Sequence, residues 1–193
     1  MSTAEPPMRA DAQRNRAAIL EAATSALTAD PRASMVDIAR QAGVGRVTLY
    51  GHFPSRTELV DAVFAHNMRR AEAHLGAVDL TGDPRTALER LVSSSWREIA
   101  DSHGVLEAAE QELGGDRVRA HHDDTLHRVR ALLARGQAAG AFRDDVSADW
   151  LTSCAFAVLH LAAAEIRAGR LTEPQAPGVV STTVLAIVDR PGR

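Results

Sequence analysis

Apolar residues recur along this chain at the spacing of amphipathic helices, and the gaps between the periodic runs fall at proline, glycine and capping residues. Ile19, Ala22, Ala23, Ala26 and Leu27 stand at i, i+3, i+4, i+7 and i+8, which predicts a helix beginning near Gln13 and stopping before Asp30-Pro31. Ser34 then precedes Met35, Ile38, Ala39 and Ala42, with Asp37 three places on in a near capping-box arrangement, so a second, short helix ends at Gly43. Between Val44 and Phe53, before Pro54, there is room for about two turns of a third helix. Ser55-Arg56-Thr57-Glu58 is a capping box that opens a fourth, with Leu59, Ala62 and Val63 on its inner face.

The helical pattern continues to the end, with no strong strand or hairpin signal. Asp83-Pro84 opens a helix running to about Ala100, Ser102 to Leu113 reads as a shorter one, and Gly114-Gly115 breaks the pattern. Asp116 to Ala139 reads as one long helix on Val118, Leu126, Val129, Leu132 and Leu133, and Ser147 to Ala168 as the most apolar. Val179 to Val188 is rich in β-branched residues but keeps helical spacing and has no partner strand, so it too is read as helix. The expected fold class is all-α: a flexible arm over 1–12, a three-helix N-terminal domain over 13–64, and a larger helical domain over 65–193.

Composition narrows the function classes. With 193 residues, 45% apolar, the chain can bury a core, and a single cysteine excludes an internal disulfide framework. The first sixteen residues lack the apolar run of a signal peptide, and the longest apolar stretch, Cys154 to Ala164, is short of a membrane span and interrupted by His160. A soluble, cytoplasmic protein is expected. All 22 basic residues are Arg; positions 1–70 hold 9 of them against 7 acids, and positions 71–193 hold 13 against 18. A mildly basic head on an acidic remainder fits phosphate contacts made by the head alone.

The second and third helices, joined at Gly43, form a helix-turn-helix, whose second member enters the major groove. That member, Gly45-Arg46-Val47-Thr48-Leu49-Tyr50-Gly51-His52-Phe53, alternates outward polar groups with a few inward apolar ones. Arg can bond bidentately to guanine, while Thr and Tyr hydroxyls and a His ring reach phosphates. The stretch Met35 to Leu59 resembles the signature of the TetR-type transcriptional regulators, over roughly residues 13–64; beyond that the likeness is one of length and helix order. The resemblance implies a homodimeric regulator, a repressor released from a palindromic operator by a small organic effector. It implies DNA contacts from Ser34, Arg46, Val47, Thr48, Tyr50, Gly51, His52 and Arg56. Arg56 stands where the family commonly has Lys, and Gly45 where a small hydroxyl residue is usual.

For the remaining helices, Trp96, His103, His122, Leu126, Phe156 and His160 are the candidates to line an effector pocket, as polar or aromatic groups amid apolar stripes. Ala155, Ala162, Ala163, Val184, Ile187 and Val188 are the candidates for a dimer seam built on the last two helices, with intramolecular core as the alternative. His121-His122-Asp123-Asp124 offers no His pair at the i, i+4 spacing of a helical metal site, and an exposed polar face is the plainer reading. Cys154 on an apolar stripe reads as an inert buried thiol. No nucleophile elbow, phosphate loop or paired catalytic carboxylate points to an enzyme, so no cofactor, metal or catalytic residue is expected. The alternatives are a constitutive DNA-binding protein and a helical enzyme using the His/Asp cluster.

Overall fold

The computed structural model describes residues 7–190, without the side chains of 7–10, 97, 100 and 101, and its described residues form nine α-helices and no strand. They are α1 (Pro7–Ala29), α2 (Met35–Gln41), α3 (Arg46–His52), α4 (Arg56–Gly76), α5 (Pro84–Leu113), α6 (Gly115–Ala120), α7 (Asp123–Ala138), α8 (Ala148–Arg167) and α9 (Ala176–Val188). Part of the supposed N-terminal arm, 1–6, lies outside the described residues. The rest of it, 7–12, is the opening of α1, where Pro7 at the first helical position supplies a φ already suited to a helix.

The chain forms two compact units. Of the described residues, the first joins 7–68 to 102–119. Its core is the predicted stripe of α1 (Ile19, Ala23, Leu27) against Ile38 of α2, Leu49 of α3 and Leu59, Val60 and Val63 of α4, all at most 2% exposed. Val105, Ala108 and Ala109 of α5 and Val118 of α6 complete it. Sequence order puts 102–119 with the second domain. The segment packs here because Gly104 lets α5 lie against the end of α1, so closely that a Cβ on Gly104 would sit 2.4 Å from the Leu27 carbonyl oxygen.

The second unit comprises, of the described residues, 69–101 and 120–190. In it α8 packs between α7 and α9, around Leu88, Leu91, Leu133, Leu151, Val180 and Val184. Phe142, fully buried, occupies the space that a side chain at Gly136 would need. The Arg143 N–H donates to the Val188 carbonyl at 2.9 Å, tying the end of α9 to the α7–α8 loop. By length and composition alone α8 is apolar enough to cross a membrane. Its residues Leu151, Ala155, Ala162 and Ala163 are buried, and the helix packs against α7 and α9.

Two boundaries differ from the sequence reading. The helices expected at Pro84–Ala100 and Ser102–Leu113 are one 30-residue helix, and its residues belong to both units, as do those of α4. The single helix expected over Asp116–Ala139 is instead α6 and α7, parted at His121-His122 where the chain passes from the first unit to the second. Asp123 and Asp124 then fill the first turn of α7, where carboxylates meet the positive end of the helix dipole.

Candidate nucleic-acid interface

The helix-turn-helix is set by three local devices. Ser34 caps α2: its Oγ accepts from the Asp37 N–H at 3.2 Å and donates to Asp37 Oδ2 at 2.6 Å. That hydroxyl, and then Arg40, hold the Asp37 carboxyl below the usual carboxylate range. Gly43 takes φ +67°, the left-handed conformation that lets the chain turn sharply after α2. Gly45 caps α3 in extended conformation without a side-chain bond, as its lack of a hydroxyl requires. Gln41 Nε2 donates to Ser25 Oγ at 3.0 Å and fixes α2 on α1.

On this frame α3 turns Leu49 fully inward, with Phe53 buried just after it. It turns Arg46, Val47, Tyr50 and Gly51 outward, with Thr48 and His52 half-buried beside them. Val47 is 89% exposed. A β-branched apolar side chain held almost wholly in water on a seven-residue helix contributes nothing to the fold, and α3 carries no acid. The face is therefore cationic and partly apolar, the combination that meets base edges and thymine methyl groups.

Arg56 sits differently from what the resemblance implied. Its Nε donates to Glu112 Oε1 at 2.9 Å, Nη2 to the Pro31 carbonyl at 2.7 Å and Nη1 to the Ala33 carbonyl. Glu112 also accepts from Thr57 Oγ1 at 3.0 Å. The guanidinium is thus a strut joining the α1–α2 loop, the start of α4 and the end of α5. Arg117 makes a second tie, donating to both carboxylate oxygens of Asp61 at 3.0 and 2.9 Å. Neither Glu112 nor Arg117 could be found from sequence, because each lies more than fifty residues from its partner.

Trp96 is buried in the core of the second unit, whereas His103 belongs to the first. His122, Phe156 and His160 do meet, with ring centroids 5.0, 5.2 and 4.0 Å apart, and Leu126 lies half-buried one turn along from His122. The dimer candidates need a correction. Ala155, Ala162, Ala163, Val184 and Val188 are each at most 6% exposed within the single chain, and Ile187 is half-buried, so they form the unit's own core. The apolar side chains that α8 and α9 leave outside are Trp150, Leu161 and Val179, at 62, 59 and 48% exposed, with Ala157 and Ala186. Cys154 is a free, half-buried thiol, and among the described residues no three His, Cys, Asp or Glu side chains converge as a metal site.

Two family models match the chain. One, bacterial regulatory proteins of the tetR family, covers residues 19–63; the other, the C-terminal domain of SbtR-like transcriptional regulators, covers residues 83–180. The transcriptional repressor LfrR of Mycolicibacterium smegmatis is 41% identical over 83 residues, which are 42% of this chain and 44% of LfrR. The transcriptional regulator NfxB of Pseudomonas aeruginosa is 25% identical over 178 residues, 91% of this chain and 95% of NfxB. The structure of LfrR in complex with proflavine superposes with a TM-score of 0.67 at 25% identity, covering 92% of this chain and 98% of that one.

Proposed function

The chain belongs to the TetR family of bacterial transcriptional regulators, and from that premise we propose that it is a cytoplasmic, dimeric repressor that releases a two-fold symmetric operator when a small organic molecule binds its second unit. The observation that carries the DNA half is the outward face of α3. Arg46 takes a guanine edge, Val47 a thymine methyl, and Tyr50 and His52 the flanking phosphates, with Thr48 and Gly51 at the groove surface. Ser34 serves this reading as the cap that fixes α2.

A regulator working on a two-fold operator needs two copies, and the uncovered apolar stripe of α8 and α9, Trp150, Ala157, Leu161 and Val179, is the surface we assign to the second. Support for the effector comes from LfrR, which was solved with proflavine, and from the flat faces that His122, Phe156 and His160 provide. The route to the DNA is covalent: α4 and α5 contribute residues to both units, so a ligand that favours a different setting of either helix changes the setting of the head.

Selecting bound duplexes from a random library tests the first half. Recovery of an inverted repeat, with base preference at one position lost in Arg46→Ala at a cost of about 1–3 kcal/mol, is the expected result. Enrichment of no sequence overturns the reading. Thermal-shift screening with and without the recovered duplex tests the second half, because an effector that weakens DNA binding must itself be weakened by DNA to the same factor.

A further inference from the structure

We propose that Arg16 of α1 is a phosphate-binding residue of the head, filling the place that Arg56 has left. The proposal rests on the DNA-binding reading above and adds a residue to it. Four cations of the first unit are already engaged: Arg14 with Asp11, Arg40 with Asp37, Arg117 with Asp61, and Arg56 with Glu112 and two backbone carbonyls. Arg16 has an aromatic face for its partner, with its guanidinium carbon 5.1 Å from the centroid of the Phe53 ring.

That contact follows from where Arg16 stands on the helix. It lies three and four residues before Ile19 and Leu20 and seven before Ala23, all buried, so it extends the core-facing stripe of α1 by one turn, at a position where an apolar residue would ordinarily continue it. The guanidinium itself lies over the ring, at the rim of the core. Phe53 is the C-cap of α3, directly after His52. The guanidinium is therefore held beside the C-terminal end of the recognition helix, next to the residues assigned to the flanking phosphates, while Arg16 as a whole remains exposed. A cation over an aromatic ring keeps its N–H edge open for a phosphate oxygen, and its orientation is largely fixed before DNA arrives.

The test measures binding by fluorescence anisotropy across a salt series, using the duplex enriched in the selection above. Each phosphate neutralised contributes about 0.9 to the slope of log K against log salt. Arg16→Gln should flatten that slope by about 0.9 and leave base preference unchanged, and Arg16→Lys should retain the slope. Arg16→Met supplies an unbranched apolar side chain able to pack on Phe53, so it separates loss of charge from loss of packing, and it should flatten the slope as Gln does. Arg56→Gln should lower the melting temperature without changing the slope. An unchanged slope in folded Arg16→Gln or Arg16→Met, or flattening in Arg56→Gln instead, overturns the assignment. A selection that enriches nothing overturns the DNA-binding reading along with it.

Discussion

Replacing Arg56 by Ala should act on the stability of the head, and the structure allows the size of the effect to be worked out. The side chain is 26% exposed and Glu112 25%, so the pair lies in the range where an ion pair is neither solvent-screened nor fully desolvated. A hydrogen bond to a charged partner contributes about 1.5–3 kcal/mol, and removing Arg also strips donors from the Pro31 and Ala33 carbonyls while leaving Glu112 with the Thr57 hydroxyl alone. Discounted for the quarter that remains exposed, the loss comes to about 2–4 kcal/mol. In a chain of this length that is a fall in Tm of about 5–15 °C. Arg56→Lys should recover only part of it, since one ammonium cannot reproduce a planar fork reaching three acceptors. Circular dichroism melts of both variants measure the effect. A Tm for Arg56→Ala within 2 °C of the wild type would refute the strut, and a flattened salt slope at unchanged Tm would return Arg56 to the DNA.

Leu161→Asp should give a folded monomer by light scattering, because Leu161 is 59% exposed, whereas Val184→Asp places a charge in a fully buried site and should unfold the second unit. A dimeric Leu161→Asp variant would refute the assigned surface. Gly104→Ala should cost about 2–3 kcal/mol despite the better helix propensity of Ala, since the added Cβ meets backbone atoms of Leu27 and Thr28 that cannot rotate away; wild-type stability in denaturant would contradict that packing. Ser34→Ala should remove an N-cap at a cost of about 1 kcal/mol. The Asp37 carboxyl, held low by the Ser34 hydroxyl, stabilises the fold above its ordinary titration range, and that contribution is lost as pH falls through its lowered value. In Ser34→Ala the NMR titration of Asp37 should move back up, and an unmoved titration would refute the cap's role.

What could be read from the sequence, and what could not, divides along the range of the interactions involved. The stripe of α1, the Ser34 and Ser55 caps and the turn at Gly43 are decided by residues three or four apart, so the helix-turn-helix and the outward face of α3 follow from spacing alone. Exposure follows from spacing only where a helix has a single packing partner. On α8, which packs between α7 and α9, Ala155 and Ala162 could face a neighbour in the same chain or in another, and nothing in their periodicity distinguishes the two. Their low accessibility does, and it moves the candidate interface to Trp150 and Leu161 on the same helix. Arg56 is the sharper case. Its place in the signature matches a phosphate-binding cation, but an acid at residue 112 and two carbonyls in the α1–α2 loop converge on it only once the head and the end of α5 have packed. Arg16 illustrates the converse: a charge at the end of an apolar stripe looks like the edge of a helix face until Phe53 is found beneath it. A motif fixes which residue types occupy a position; whether a charge there is available to a ligand depends on which opposite charges the fold delivers to it, and those come from parts of the chain that the motif does not contain.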